Sequence, residues 1–310
     1  MIKDISNLQA KLQALVLSQQ GLHTKGQVAD YIPALAEVCP KKIGVSIATI
    51  DGCTIGAGDY QQAFSIQSIS KVFGLIMAMN RIGDDLWQRV NMEPSGQAFN
   101  SIIQLEWEKG IPRNPVINAG ALLIADVLTS RFSSSKLAFL SFMRNLANDE
   151  TIYIDKHVYK SELNHGNRNA ALAYLMKSFG NIEAEIPEVL SHYFTQCSVA
   201  MSCEQLANSL LFLANKGVDP KTKKVICSAR DAHRVNAILS TSGMYDQSGE
   251  FAFSVGLPAK SGVGGGVIAV VPNHGVICSW SPPLNKFGNS VVGTNLVSKL
   301  AEELGLSIYH

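Results

Sequence analysis

The feature that most constrains the fold is an apolar run that follows a serine and a lysine. Residues 72–79 read Val-Phe-Gly-Leu-Ile-Met-Ala-Met, and a run that is apolar nearly all round predicts a buried helix. If that helix begins near Ser68, then Ser68 and Lys71 lie three residues apart on one of its faces. The serine hydroxyl would then lie at the positive end of the helix dipole, which favours developing negative charge.

The pairing of Ser68 with Lys71 suits nucleophilic chemistry. A lysine ammonium that is partly desolvated by an apolar helix has a lowered pKa, and its neutral form can accept a proton from a neighbouring hydroxyl. The pattern therefore predicts a serine nucleophile with a lysine base. A second Ser-x-x-Lys occurs at Ser133 and Lys136 in a polar stretch, where a helix cap followed by a solvated lysine is the simpler interpretation.

A motif far downstream separates the two serines. Lys260-Ser261-Gly262 is the only Lys-[Ser/Thr]-Gly in the chain, and it precedes a glycine run at 264–266 and a strand-like segment at 267–271. Penicillin-recognising serine enzymes carry Ser-x-x-Lys early and Lys-[Ser/Thr]-Gly late, which favours Ser68 as the nucleophile. The glycine run is not a phosphate loop, because a strand follows it and no Gly-Lys-[Ser/Thr] is present. We expect these glycines to allow close backbone approach to a ligand.

Size and composition narrow the class of protein. At 310 residues, with 46% apolar and 16% charged residues, the chain can bury a large core. A net charge of +1 argues against a nucleic-acid partner or an anionic-membrane surface. The first twenty residues lack the continuous apolar core of a signal peptide, and no apolar stretch is long enough to span a bilayer. These features predict a soluble, cytoplasmic protein.

The cysteines and histidines give no sign of a cofactor. The six cysteines are scattered without a Cys-x-x-Cys, so we expect free thiols in a reducing compartment. The seven histidines show no paired-ligand spacing, so we expect no metal and no other cofactor.

The order of patterns predicts strands near both ends of the chain and helices between them. Strands are predicted at 43–50, 53–57, 251–255, 260–271 and 276–281, and Asp51-Gly52 makes the first two a hairpin. Besides the nucleophile helix, helices are predicted at 5–17, 118–128, 137–146, 169–179, 187–196, 228–239 and 291–304, with another capped at Ser202 that ends at Gly217. The polar clusters at 160–164 and 167–169 are placed between helices, and residues 243–249 are predicted to form a loop.

These elements predict one domain over residues 1–310, with two parts. A sheet-containing subdomain comprises about residues 1–81 and 231–310, and an inserted helical subdomain comprises about residues 82–230. A site at their junction would draw residues from both.

Seven motifs taken in order closely resemble the serine-dependent glutaminases, from about Gln27 to the C-terminal helix. They are 30–33 (Asp-Tyr-Ile-Pro), 68–71 (Ser-Ile-Ser-Lys), 116–121 (Val-Ile-Asn-Ala-Gly-Ala), 160–162 (Lys-Ser-Glu), 167–170 (Asn-Arg-Asn-Ala), 243–246 (Gly-Met-Tyr-Asp) and 260–266 (Lys-Ser-Gly-Val-Gly-Gly-Gly). The resemblance implies a serine β-lactamase-like α/β (α+β) fold, an antiparallel sheet flanked by helices with an inserted helical subdomain. It implies hydrolysis of L-glutamine to L-glutamate and ammonia, and a homodimer or homotetramer.

The same resemblance implies roles for individual residues. Ser68 matches the nucleophile, Lys71 its base partner and Tyr245 a tyrosine implicated in proton transfer, while the backbone N–H groups of Ser68 and Val263 match an oxyanion hole. The positions that match substrate contacts are Tyr31, Asn118, Glu162, Asn169 and Tyr193. A carboxylate is the natural partner of the substrate ammonium, which assigns Glu162 to that group, with Asn169 as a candidate second partner. Asn118, Tyr31 and Tyr193 can donate to the substrate carboxylate. Whether Lys71 or Tyr245 takes the first proton stays open.

Two alternative functions fit the same scaffold. A β-lactam-recognising acylase or transpeptidase would carry Ser-x-Asn or Tyr-x-Asn between the two lysine motifs, and neither pattern is present. A non-catalytic amino-acid sensor would need none of the proton-transfer groups, yet Ser68, Lys71 and Tyr245 are all retained.

Overall fold

The main sheet has five antiparallel strands in the order β2-β1-β8-β7-β6. The computed structural model describes residues 5–96 and 101–309, and all statements on the fold refer to these. The strands are β1 (Gly44–Thr49), β2 (Thr54–Gly58), β3 (Phe64–Ser65), β4 (Tyr153–Ile154), β5 (Val199–Met201), β6 (Ala259–Ser261), β7 (Gly266–Val271) and β8 (Gly275–Trp280).

Helices surround the sheet and make up most of the chain between β3 and β6. Within the described residues they are α1 (Ile5–Ser18), α2 (Pro33–Ala36), α3 (Ser70–Ile82), α4 (Ile103–Trp107), α5 (Asn118–Arg131), α6 (Ser135–Ala147), α7 (Lys156–His165), α8 (Asn167–Ser178), α9 (Ile186–Cys197), α10 (Cys203–Ser209), α11 (Leu211–Ala214), α12 (Ala229–Ser242), α13 (Ser248–Ser254) and α14 (Val291–Leu304). Short 3₁₀ turns lie at Leu22–Lys25, Gln67–Ile69, Gly83–Gln88 and Tyr245–Gln247. No helix of the described chain is long and apolar enough to cross a membrane.

The central strands are buried on both faces of the sheet. Along β7, Val267 and Ala269 belong to one apolar cluster, and Ile268 and Val270 belong to the other. Because side chains alternate along a strand, the two clusters lie on opposite sides of the sheet. Helices α1 and α14 cover the first face, and α10 packs on the second.

Helix α3 confirms the prediction of a buried helix after Ser68. All residues from Ser70 to Met79 are buried, and the helix packs against α5, α9 and α12. The prediction that this helix begins near Ser68 is correct to within two residues. Ser68 lies in the 3₁₀ turn Gln67–Ile69, and the α-helix begins at Ser70.

Two segments that precede β6 were assigned wrongly from sequence, and so was the single strand that was predicted across β6 and β7. The predicted strand at 251–255 is the end of α13 and the residue after it, and the predicted loop at 243–249 contains a 3₁₀ turn and the start of that helix. Phe251 and Val255 are buried while Phe253 is 94% exposed, so the apolar spacing that suggested alternation is the i, i+4 spacing of a helix. The predicted strand at 260–271 is two strands, β6 and β7, joined by a tight turn.

The polar clusters at 160–164 and 167–169 lie within helices, which corrects their predicted place between helices. Asp155 caps α7 by accepting from the backbone N–H groups of His157 and Val158, so the helix begins before the cluster. Gly166 is all that separates α7 from α8. The polar side chains therefore belong to two consecutive helices, and Ser161 and Glu162 are the buried ones among them.

A second, three-stranded sheet with the order β3-β5-β4 was not predicted. Its strands have two or three residues each, too few to show a hydrophobic period. It pairs Phe64 with Met201, and Ile66 N donates to Val199 O at 3.0 Å just beyond the strand. This small sheet fixes the segment that leads into Ser68.

Candidate active site

Most of the predicted site residues line one cavity of about 290 Å³. They are Tyr31, Ser68, Asn118, Glu162, Asn169, Tyr193 and Val263. A larger groove of about 590 Å³ near the C-terminal segment contains none of them. Helices α5, α7, α8 and α9 meet the turn before α3 and the turn between β6 and β7 at the smaller cavity, hereafter the active-site cavity.

Ser68 is presented to the cavity by an unusual backbone turn. Gln67 has φ = +48°, a left-handed conformation that is uncommon for residues other than glycine. Strain of this kind persists only where the surrounding structure enforces it, and it recurs at functional sites. The enforcing contacts here are the β3–β5 pairing before the turn and the buried helix α3 after it.

The glycine-rich turn between β6 and β7 lies directly against this segment. A Cβ at Gly262 would lie 2.5 Å from Ile66 O, and one at Gly264 would lie 2.1 Å from Ser65 O. Only glycine permits such close approach, so the expected approach is made to the chain's own backbone and not to a ligand. The contact places Val263 on the cavity wall beside Ser68.

Lys71 is buried behind the cavity wall. Its side chain is 2% exposed, and Nζ donates to Val116 O at 3.0 Å and to Asn118 Oδ1 at 2.9 Å. Desolvation by burial lowers the pKa of Lys71 to about 8. About a tenth of this amine is therefore neutral at pH 7 and able to accept a proton.

Tyr245 is hydrogen-bonded to the side chain of Ser68. Its backbone has φ = +53°, and its hydroxyl donates to Ser261 O at 3.4 Å. Desolvation by burial raises the pKa of Tyr245 to about 12, because the charged phenolate is disfavoured more than the phenol. Tyr245 is therefore protonated at neutral pH and is equipped to donate.

Lys260 of the Lys-Ser-Gly motif packs against Tyr245, a position that was not predicted. Its Nζ lies 4.5 Å from the centre of the Tyr245 ring and donates to Gly243 O at 3.1 Å and Ser261 O at 2.6 Å. Burial lowers the pKa of Lys260 well below its ordinary value, and the nearby Lys71 adds to this effect. Two buried lysines of lowered pKa thus lie near each other, and perturbed pKa values of this kind cluster at functional sites.

Glu162 and two asparagines form a polar wall of the cavity. Glu162 is 5% exposed, and desolvation raises its pKa, although a hydrogen bond from the Gln67 side chain opposes the shift. Asn118 Nδ2 donates to Asn169 Oδ1 at 3.0 Å, so the Asn118 amide joins Lys71 to Asn169. A buried carboxylate of this kind favours a cationic ligand.

The two remaining aromatic residues differ in exposure. Tyr31 is 54% exposed, and its loop is held by a backbone bridge between Gln27 and Leu284. Tyr193 is only 3% exposed, and burial raises its pKa well above the ordinary value. Tyr193 is therefore a neutral phenol inside the wall, whereas Tyr31 lies on the solvent side.

Four further polar residues line the cavity without having been predicted: Gln67, His165, Arg168 and Cys197. Helical spacing was the signal that could have found two of them. His165 is three residues after Glu162 on α7, and Cys197 is four residues after Tyr193 on α9. Residues 160–164 were predicted to lie between helices, so helical spacing was not applied to Glu162 and His165.

The comparisons with known proteins agree with this geometry. The family model described as Glutaminase matches residues 26–309. A glutaminase of Shewanella amazonensis is 53% identical over 302 residues, which cover 97% of this chain and 99% of the relative. A glutaminase of Vibrio cholerae is 51% identical over 299 residues, covering 96% of this chain and 98% of the relative.

Solved structures give the same result. A probable glutaminase from Bacillus subtilis complexed with 6-diazo-5-oxo-L-norleucine superposes with a TM-score of 0.88 at 34% identity, covering 99% of this chain and 98% of that one. The covalent complex of a Bacillus subtilis glutaminase with 5-oxo-L-norleucine, formed by reaction with the same compound, also gives 0.88 at 34% identity, covering 97% and 100%. The predicted serine β-lactamase-like fold is confirmed. The chain belongs to the glutaminase family.

Proposed function

We propose that this protein hydrolyses the side-chain amide of L-glutamine, giving L-glutamate and ammonia, through an acyl-enzyme on Ser68. The observation that carries the proposal is the hydrogen bond between Ser68 and Tyr245 at a cavity that also holds a buried Glu162. A nucleophile, a proton donor and a partner for an ammonium are the three groups that this substrate requires.

In the first step Ser68 Oγ attacks the amide carbon while its proton passes to neutral Lys71. The pKa of about 8 for Lys71 supports this choice, because Tyr245, with a pKa of about 12, is already protonated. Tyr245 then donates its proton to the departing nitrogen. The protonated Lys71 in turn gives a proton to Tyr245 and restores the phenol. The products of this half-reaction are ammonia and a glutamyl ester of Ser68. Water attacks the ester in the second half-reaction, with the same groups acting in reverse.

The backbone N–H groups of Ser68 and Val263 are proposed to form the oxyanion hole. Their relative position is set by the close contact of Gly262 and Gly264 with the backbone that precedes Ser68. Donors fixed in this way stabilise the tetrahedral oxyanion without reorganising during the reaction, and removing one such donor costs roughly 10²–10³ in kcat.

The substrate's amino-acid end is proposed to bind at the polar wall. Glu162 accepts from the ammonium, and Asn118, Tyr31 and Tyr193 donate to the carboxylate. Asn169 orients the Asn118 amide through the bond at 3.0 Å and lies beside Glu162 in the cavity lining. Pairing with the substrate ammonium offsets the free-energy cost of burying the Glu162 carboxylate. Substrates with a free amine should therefore bind more tightly than substrates without one.

The wider setting is also proposed. The protein acts in the cytoplasm as a homodimer or homotetramer, with no nucleic-acid or membrane partner, and its helical part comprises about residues 82–230. A net charge of +1 and six free cysteines support this setting. Analytical ultracentrifugation measures the assembly directly.

Two assays run in parallel test the proposed function. Purified protein should release ammonia steadily from L-glutamine and leave a chromogenic cephalosporin intact, whereas a β-lactam-recognising enzyme would give the reverse and an amino-acid sensor would give neither. Incubation with 6-diazo-5-oxo-L-norleucine should expel dinitrogen and join the reagent's terminal carbon to Ser68 Oγ, which peptide mass spectrometry locates. Labelling at any other residue would contradict the mechanism.

A further inference from the structure

Cys197 lies between the active-site cavity and the segment that carries Ser68. Its side chain lines the cavity and is only 3% exposed. Its backbone oxygen accepts from Ser65 Oγ at 2.9 Å, and Ser65 Oγ accepts from Gln67 Nε2 at 3.1 Å. These bonds fix the position of Cys197 relative to the residues that precede Ser68.

The thiol of Cys197 neighbours the phenol of Tyr193, and both side chains line the active-site cavity. Both residues belong to α9, four positions apart, so they lie one above the other on the same side of the helix. Both are 3% exposed, so neither can exchange this partner for bulk water. A phenol is a stronger donor than a thiol, so donation from Tyr193 to the sulfur is the arrangement expected when no better acceptor is present.

We propose that Cys197 is a positioning residue that lets Tyr193 turn its O–H toward the substrate carboxylate. The inference rests on the proposed function, in which Tyr193 donates to that group. A carboxylate is a far better acceptor than sulfur, so its arrival draws the phenol hydrogen toward the ligand. The thiol then rotates and donates its S–H to the phenol oxygen. No covalent bond changes, and each buried group keeps a partner in both states.

Two substitutions of Cys197 separate this role from simple packing. Alanine offers neither an acceptor for the phenol nor a donor to its oxygen, whereas serine retains both. One neutral hydrogen bond corresponds to roughly a 2- to 10-fold change in an equilibrium constant. Cys197→Ala should therefore raise KM for L-glutamine by roughly 3- to 10-fold with kcat within about 2-fold, and Cys197→Ser should restore most of the loss.

The Tyr193→Phe background provides the decisive comparison. Without the phenol oxygen there is nothing for the thiol to position, so adding Cys197→Ala to Tyr193→Phe should leave KM unchanged. Cys203→Ala is the matched control, because Cys203 is equally buried but does not line the cavity. A wild-type KM in Cys197→Ala, or an equal rise in both backgrounds, would overturn the inference.

The infrared S–H stretching band gives a readout that packing alone would not move. Adding L-glutamate to the wild type should shift one S–H band as the thiol changes from acceptor to donor. The shift should be absent in Cys197→Ser and in Tyr193→Phe, and an unchanged wild-type spectrum would refute the redirection. If the wild type releases no ammonia from glutamine, the proposed function fails first; if it does and Cys197→Ala keeps the wild-type KM, only this inference fails.

Discussion

Lys71 Nζ lies 2.9 Å from Asn118 Oδ1, and its other acceptor, Val116 O at 3.0 Å, is also a neutral oxygen. Neutral oxygens compensate the desolvation of an ammonium less than a carboxylate would. Desolvation by burial lowers the pKa of Lys71, and neither contacting oxygen carries a charge that would oppose the shift. Asn118 therefore contacts Lys71 behind the wall and also lines the cavity in front.

Ser68 and Ser133 form a matched pair for testing the nucleophile. Both belong to a Ser-x-x-Lys, but only Ser68 lies at the active-site cavity. Removing a catalytic serine costs roughly 10⁴–10⁶ in kcat, so Ser68→Ala should lose that much while Ser133→Ala stays near wild type. Ammonia release from glutamine measures both. Substantial turnover by Ser68→Ala would rule out the covalent mechanism.

Lys71 and Tyr245 are expected to act as one proton-transfer unit. Lys71→Ala and Tyr245→Phe should each lower kcat by at least ~10², the usual contribution of general acid–base catalysis. The double variant should lose less than the product of the two losses, because groups that act together are not additive. Steady-state kinetics on the four proteins decides this, and strict multiplicativity would mean that the two groups act independently.

The pH dependence of kcat/KM should report the pKa of Lys71. The neutral amine is the active form, so kcat/KM should rise with pH to a midpoint near the pKa of about 8. Asn118→Asp places a carboxylate against the ammonium, which favours the charged form and should move the midpoint upward by about one to three pH units. Asn164→Asp, on the exposed side of α7, is the control for added charge. A midpoint unchanged by Asn118→Asp would assign the titration to another group.

Glu162→Gln tests how the enzyme recognises a free amino acid. A hydrogen bond to a charged group contributes about 1.5–3 kcal/mol, so kcat/KM for glutamine should fall roughly 10- to 150-fold with the fold intact. N-acetyl-glutamine has no ammonium and should be a very poor substrate for the wild type. The substitution should then cost little further activity toward it. Equal damage to both substrates would mean that Glu162 supports the structure of the wall instead of binding the amine.

Asp126 is expected to stabilise the fold without taking part in catalysis. Its fully buried carboxylate accepts from Arg89 at 2.6 Å and from the backbone N–H groups of Glu183 and Ala184 at 3.0 and 2.7 Å. Asp126→Ala removes the buried acceptor of Arg89 and of two backbone N–H groups, although Arg89 keeps its bonds to Glu183 and Asn181. The substitution should lower the free energy of unfolding by about 3–5 kcal/mol. Glu183, the exposed carboxylate partner of Arg89, provides the control. Glu183→Gln should lower the free energy of unfolding by no more than about 1 kcal/mol. Urea denaturation measures both, and equal losses would contradict the assignment.

The residues that could be predicted from sequence are those whose chemistry fixes the residue type. Ser68, Lys71 and Glu162 are each the kind of group that the reaction demands, and their motifs stand out in the chain. Periodicity correctly predicted the buried helix after Ser68 and the C-terminal helix Val291–Leu304. A short sequence motif correctly predicted the capping box of Ser202 with Gln205. These signals are local and do not depend on the rest of the fold.

What sequence reasoning missed depends on contacts between distant segments. The left-handed turn at Gln67 is imposed by strand pairing and by packing, and glutamine itself does not favour it. The thiol of Cys197 acquires a role only because α9 forms part of the cavity wall. Phe251 was misread because apolar residues spaced two or four apart fit a short strand and a short helix equally well.

The close contact of Gly262 and Gly264 with Ile66 and Ser65 also bears on how the protein is made. The turn that carries Ser68 is synthesised almost two hundred residues before the glycines that pack against it. An incomplete chain therefore contains Ser68 but lacks this part of the cavity wall. Contacts of such long sequence separation close late, because the loop between them must be ordered first. Hydrolytic activity should therefore appear only when the nearly complete chain has been released from the ribosome. Incomplete chains should not hydrolyse free glutamine in the cell.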